Sequence, residues 1–99
     1  IENADMDLLR KTIDLIKQKT DNAVIALGTI VDNRALLVIG ITPGLCQKGW
    51  DASKLILDVS SVIGGSGGGR KDFAQAGGNK PENLGKAFQE LKNIITNLK

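Results

Sequence analysis

The chain has 99 residues, 41% of them apolar, and a net charge of +2 at pH 7, which is typical of one globular domain. It has no histidine and one cysteine, Cys46, which excludes histidine-dependent catalysis, histidine metal sites and an internal disulfide. No run reaches the roughly 18 apolar residues of a membrane helix, so we expect no membrane span. The single cysteine favours a reducing, cytoplasmic setting, and the missing initiator Met suggests a fragment of a longer chain.

The first predicted element is a helix over residues 3–19, with Asn3 or Asp5 as its cap. Its apolar residues recur every three or four positions along one stripe, formed by Met6, Leu9, Ile13 and Ile16. Leu8 and Leu15 form a second ridge. Two interpretations remain open: one broad face in the core, or a second contact surface for a missing part of the parent chain.

Two strands are predicted next, over residues 23–31 and 34–42, joined by a two-residue turn at Asp32 and Asn33. Asn tolerates the positive φ that such a turn requires. Both strands are apolar on both faces, so other elements should cover the hairpin on both sides.

Residues 42–49 are punctuated by Pro and Gly and read as a loop. Cys46 lies in this loop, and without a histidine to activate it we interpret it as a bystander. Lys48 is either a solvated surface charge or a further positive charge on an edge that faces phosphate. Trp50 is predicted to be a packing anchor.

A second helix is predicted over residues 51–63, capped by Asp51 or Ser53. A short third strand follows at residues 73–76, and a last helix begins near Pro81. The predicted fold class is therefore α+β: one small α/β domain covering residues 1–99, in the order α-β-β-α-β-α, with helices packed on the sheet.

Residues 64–78 hold seven of the chain's twelve glycines. A flexible linker has no reason to carry the basic and apolar residues that interrupt this run. Bare N–H groups can cradle an oxyanion, and Arg70 can fork onto a phosphate. The alternative is a close-packed loop that only lets a helix approach the sheet.

A P-loop or dinucleotide fingerprint would follow a strand and open a helix, which is the reverse of the order here. With no carboxylate pair, metal loop or activated nucleophile, the sequence argues against catalysis in these residues.

Residues Gly67 to Gly78 read Gly-Gly-Gly-Arg-Lys-Asp-Phe-Ala-Gln-Ala-Gly-Gly. This run resembles the Gly-Gly-Gly-Arg-Pro-x-x-Ala-Gln-Ala-Gly-Gly signature of the C-terminal domain of alanyl-tRNA synthetases, and the resemblance extends over essentially the whole chain. The fold is also similar to the DHH-associated domain of exonucleases and phosphoesterases, which typically carry His at the position of Arg70. Arg70 and Gln75 favour the synthetase. Two positions depart from the signature: Lys71 replaces the usual Pro, and Ser66 stands where Lys is common.

The resemblance implies a non-catalytic module that binds the elbow of tRNA(Ala), where the D and T loops meet. It implies a cytoplasmic parent synthetase whose upstream aminoacylation and editing domains act on one tRNA, and which uses ATP, Mg and Zn, with no cofactor in this domain. Some family members form a homodimer. The alternatives are a nucleic-acid- or phosphate-gripping accessory domain of a DHH phosphoesterase, or a dimerisation scaffold that uses Leu8 and Leu15. The RNA-binding candidates are Gly67, Gly68, Gly69, Arg70, Lys71, Gln75, Gly77, Gly78, Lys48 and Lys80.

Overall fold

A computed structural model describes residues 6–20 and 22–98 of the chain. The predicted caps Asn3 and Asp5 lie outside the described residues, as does the side chain of Met6. The elements in chain order are α1 (Met6–Lys19), β1 (Val24–Val31), β2 (Arg34–Ile41), α2 (Pro43–Gln47), α3 (Ala52–Ser60), β3 (Gly65–Gly69), β4 (Phe73–Gly78), a 3-10 turn (Pro81–Asn83) and α4 (Leu84–Leu98).

The four strands form one antiparallel sheet in the order β1-β2-β4-β3. Helix α1 packs on one face, where Leu9 and Ile13 meet Val38 of β2. Helices α3 and α4 pack on the other face and enclose the larger of the two apolar clusters. The sheet is therefore the middle layer of three, and the two cores lie on either side of it.

The predicted hairpin is confirmed. Asp32 and Asn33 form its turn with φ of 51° and 63°, and Val31 pairs with Arg34 directly beside them. Positive φ at both central residues gives the turn a twist that matches the twist of the two strands. Strand β2 is covered on both faces, as expected, but Ile30 of β1 is half exposed, so β1 is covered only in part.

Helix α1 buries Leu9 and Ile13, while Leu8 and Leu15 are 43% and 56% exposed. The interpretation of one broad core face is therefore wrong for these two leucines. The reason is geometric: a helix resting on a flat sheet buries one stripe, and the second ridge lies too far round the cylinder.

The structure differs from the sequence prediction in several elements. The glycine run, expected as a loop, forms strand β3, because pairing of its backbone with β4 requires no side chain. Residues 42–49, also expected as a loop, contain the short helix α2 with Pro43 in its first turn. Helix α3 ends at Ser60 rather than at residue 63. Its predicted cap is correct, since the Asp51 Oδ1 accepts a hydrogen bond from the Ser53 N–H at 2.9 Å.

Candidate nucleic-acid interface

Strand β3 lies at the edge of the sheet, and its hairpin with β4 closes where the Arg70 N–H donates to the Phe73 carbonyl at 2.7 Å. In an antiparallel pair, hydrogen-bonded positions alternate along each strand. Counting back from Arg70, Gly68 and Ser66 bond to β4, so the N–H groups of Gly65, Gly67 and Gly69 point away from it. The outer edge of β3 thus presents a row of backbone donors with no side chains between them.

The glycines of β3 are of two kinds. A Cβ at Gly65, Gly67 or Gly69 would run into the backbone of β4, so the fold itself requires glycine at those positions. In the part of the chain that the structure describes, a Cβ at Gly68 would meet nothing within 4 Å, and Gly68 is exposed. The packing of this domain does not explain the missing side chain at Gly68.

The side of β3 and β4 that carries Gly68 is called here the open face, and it comprises Ser66, Gly68, Gln75 and Gly77. Register pairs Gly68 with Gln75 and Ser66 with Gly77, and paired residues project to the same side of a sheet. Gln75 in turn pairs with Val38, whose side chain packs under α1. The open face therefore continues the surface on which α1 rests, beyond the area that α1 covers.

A groove of about 200 Å³ crosses the tip of the open face. Its lining residues come from α1, from the two strands and from their turn: Arg10, Gly68, Gly69, Arg70, Phe73 and Gln75. The groove thus combines bare backbone, one amide side chain and two guanidinium groups. These groups donate hydrogen bonds and carry positive charge, which is the chemistry that phosphate oxygens accept.

Arg70 extends from the hairpin tip with its side chain 81% exposed, and its Nε lies 3.7 Å from the Asp72 Oδ1. An ion pair of this length at the surface holds the guanidinium weakly, so Arg70 is available to an anionic partner. Lys71 is exposed beside it, and the Lys71 carbonyl accepts a hydrogen bond from the Ala52 N–H at 2.8 Å. The tip is thereby fixed to the start of α3.

The remaining predicted site residues are dispersed. Gly77 is half-buried on the open face, whereas Gly78 is buried and a Cβ there would run into the Ile63 carbonyl. Packing therefore accounts for Gly78, and contact with RNA is not needed to explain it. Lys80 is exposed beside Gly64, at the opposite end of β3 from Arg70. Lys48 lines a different groove, of about 370 Å³, beside Trp50 and α3.

Two arginines of this region were not among the residues predicted from the sequence. The Arg10 Cζ lies 4.9 Å from the centroid of the Phe73 ring, which is a cation–π contact between α1 and β4. Arg34 reaches the other end of the open face, where its Nη2 would lie 3.7 Å from a Cβ at Gly77. Helical spacing could have indicated Arg10, since it follows the buried Leu9 and so borders the stripe that faces the sheet.

Among the described residues, two groups have a shifted pKa, and neither belongs to this surface. Burial raises the pKa of the Cys46 thiol, and the charge of Asp72 adds to the effect, which disfavours the reactive thiolate. The hydrogen bond from the Ser53 hydroxyl lowers the pKa of Asp51, which is a capping carboxylate.

Within residues 6–20 and 22–98 there is no cluster of three or more His, Cys, Asp or Glu side chains that could hold a metal ion. In the same part of the chain, no helix combines the length and apolar character that a membrane crossing requires.

Comparison with known families gives the class of the protein. Residues 1–97 match the DHHA1 domain, so the chain belongs to the DHHA1 domain family. It is 32% identical to a solved structure, the C-Ala domain from Aquifex aeolicus alanyl-tRNA synthetase, with a TM-score of 0.86 over 93% of this chain and 82% of that one. The predicted fold class is confirmed, and its sheet gains the strand formed by the glycine run.

Curated relatives point to the same parent family. The chain is 47% identical over 98 residues to the alanine–tRNA ligase of Halalkalibacterium halodurans, and 41% identical over 91 residues to that of Bacillus subtilis. These matches cover 99% and 92% of the chain but only 11% and 10% of the two relatives. The resemblance to the C-terminal domain of alanyl-tRNA synthetases is confirmed, and the chain spans about a tenth of the length of these relatives.

Proposed function

We propose that this chain is the tRNA-binding module of an alanyl-tRNA synthetase and that its open face contacts the tRNA elbow, where the D and T loops meet. The observation that carries the proposal is Gly68, an exposed glycine that no contact among the described residues explains. It lies in the same groove as Arg70. The similarity to alanine–tRNA ligases supports a tRNA as the RNA partner.

Bare backbone at Gly68 suits a flat partner, because a base pair at the corner of a folded RNA can approach a strand that has no side chain. Arg70 and Lys71 then lie beside the contact, where they meet phosphate oxygens. Such an interface recognises the shape of the RNA and reads little of its sequence. Three or four phosphate contacts give a slope of about −2 to −3 in log affinity against log salt.

The module acts within a longer enzyme. The proposal places the aminoacylation and editing sites in upstream domains, which would bind ATP, Mg and Zn in a cytoplasmic parent synthetase. Holding the elbow at a fixed point lets one tRNA reach both sites in turn. In this account the present chain supplies binding and positioning, and the upstream domains supply the chemistry.

Titration of the chain with two transcripts tests the proposal. One is a folded tRNA for alanine, and the other is the same transcript with the D loop deleted, so that the elbow cannot form. We expect the folded transcript to bind at least about tenfold more tightly, equivalent to about 1.4 kcal/mol. Equal binding of the two transcripts at several salt concentrations would contradict recognition of the elbow.

The exposed leucines of α1 favour a second function, a dimerisation scaffold. Leu15 is 56% exposed and Leu8 43%, and large apolar side chains at a surface are typical of contact with another protein. Sedimentation at increasing protein concentration tests this function. A monomer at millimolar concentration would exclude it for this chain.

A further inference from the structure

The chain has three arginines, and all three border the open face. Arg10 and Arg70 line the groove at the hairpin tip. Arg34 stands near Gly77, at the other end. The three residues come from α1, from the start of β2 and from the end of the β3–β4 hairpin, so only the folded chain brings them to one surface.

Arg10 is held in place without being neutralised. Its guanidinium lies over the Phe73 ring, with Cζ 4.9 Å from the centroid, and this ring is buried in the smaller core and therefore fixed. Stacking on an aromatic face leaves the N–H donors at the edge of the guanidinium plane available to a ligand. Arg10 makes no ion pair and no side-chain hydrogen bond within residues 6–20 and 22–98. A positively charged group that is positioned but unpaired is suited to an anionic partner.

Arg34 is likewise without an ion-pair partner in the described residues. It is exposed at the start of β2. Among the carboxylates, Asp72 lies near Arg70 at 3.7 Å, and Asp7 and Asp14 are three and four positions from Arg10 on α1. Neither of the helix carboxylates comes within 4 Å of the Arg10 guanidinium nitrogens, so within the described residues Arg10 has no carboxylate partner.

The separation of the arginines indicates how many anions they serve. Phe73 and Gly77 are four residues apart on β4, which corresponds to about 13 Å along a strand. A single phosphate group cannot bridge that distance. Between the two ends the open face carries one long side chain, that of the exposed Gln75, since Gly68 and Gly77 lack side chains and Ser66 is small. An extended, multiply charged ligand therefore fits this surface better than one small anion.

We propose that Arg10 and Arg34, together with Arg70, form an arginine rim that binds separate phosphate groups of the RNA backbone on opposite sides of the open face. The inference rests on the proposed function and extends it, because it assigns phosphate binding to two residues outside the glycine motif. In this arrangement Arg10 and Arg70 hold phosphates at the hairpin tip, and Arg34 holds a phosphate at the far end. The rim fixes the orientation of the RNA across the bare strand.

The test compares Arg10→Ala and Arg34→Ala with Lys92→Ala in titrations of the folded tRNA transcript over a range of salt. Lys92 is an exposed cation on α4, on the opposite side of the sheet, so its variant removes the same charge from a distant surface. We expect each arginine variant to bind about 3- to 10-fold more weakly and to lower the magnitude of the salt slope by about 0.7 to 0.9, as the loss of one phosphate contact requires. Lys92→Ala should leave the slope unchanged.

Arg10→Lys separates binding from packing. Lys keeps the positive charge but not the planar fork, so it should restore most of the slope and only part of the affinity, with thermal unfolding unchanged. If Arg10→Ala and Arg34→Ala bind folded tRNA as the parent chain does, the arginine rim is wrong while recognition of the elbow stands. If the folded and D-loop-deleted transcripts bind equally, the elbow is wrong, and the slopes still decide whether the rim binds phosphate.

Discussion

Strands β2 and β3 both pair with β4, yet they are built in opposite ways. Strand β2 is made mostly of aliphatic residues and is buried on both faces, with Leu37 and Ile39 in the larger core and Val38 in the smaller one. Strand β3 has one side chain, that of Ser66, and is largely exposed. Burial of apolar surface holds β2 in the sheet, whereas backbone hydrogen bonds and close approach hold β3. Because β3 is held without burying side chains, its exposed face can contact another molecule.

The largest effect expected from this comparison is in β2. Leu37→Ala removes a fully buried side chain from the larger core, which should lower the free energy of unfolding by about 2–5 kcal/mol. Urea denaturation measures the change. Leu57→Ala is the matched control, because Leu57 is 60% exposed and should change stability by less than about 0.5 kcal/mol. Equal losses at the two positions would contradict the placement of the core.

Within β3, two neighbouring glycines are expected to respond differently to the same substitution. Gly67→Ala forces a Cβ against the backbone of β4 and should destabilise the chain by about 1–3 kcal/mol. Gly68→Ala places the same methyl group in open space, so its stability should stay within about 0.5 kcal/mol of the parent chain or rise slightly. Thermal unfolding of the two variants measures the difference. Comparable destabilisation by both would show that Gly68 also has a packing role.

Helix α3 packs on the face of β3 opposite the open face and so supports this strand. Removing the cap of α3 tests how much the end of this helix contributes to stability. Asp51→Ala should cost about 1 kcal/mol, while Asp51→Asn, a good cap without charge, should cost much less. Since the folded pKa of Asp51 lies below the usual value of 3.8, its contribution is present above that value and is lost as pH falls through the lower, folded pKa. Urea denaturation from pH 7 to pH 2.5 should show this loss in the parent chain but not in Asp51→Asn. The same loss in the asparagine variant would assign it to another group.

The smallest effect on stability is expected at Arg70. Its side chain is exposed and its one ion pair is long, so Arg70→Ala should change the free energy of unfolding by less than about 0.5 kcal/mol. Binding of folded tRNA should nevertheless fall about 3- to 10-fold, with the salt slope reduced by about 0.7 to 0.9. Fluorescence titration at several salt concentrations measures both. A stable variant with undiminished affinity would remove Arg70 from the interface.

Much of the fold follows from local patterns in the sequence. The Asp32 and Asn33 turn, the Asp51 cap and the apolar stripes of the helices are set by neighbouring residues, and each is found in the structure. The strand at Gly65–Gly69 could not be read in this way, because glycine has low strand propensity. It forms a strand because its backbone pairs with that of β4.

The candidate site divides in the same way. The sequence motif identified Arg70, Gln75 and the glycines, which lie within one hairpin. Arg10 and Arg34 are remote in sequence, and they reach this surface only through the packing of α1 and the pairing of β2 with β4. The sequence also could not separate Gly68 from Gly67, because the difference lies in the space around each residue. Local chemistry was predictable, and long-range assembly was not.

The most direct test of the central claim places a side chain on the open face at Gly68. Val suits a strand, and its Cβ at this position meets nothing within 4 Å among the described residues, so Gly68→Val should keep the thermal stability of the parent chain. If the bare strand is the binding surface, affinity for folded tRNA should fall at least about tenfold, equivalent to about 1.4 kcal/mol. A stable Gly68→Val chain that binds folded tRNA as tightly as the parent would contradict the account.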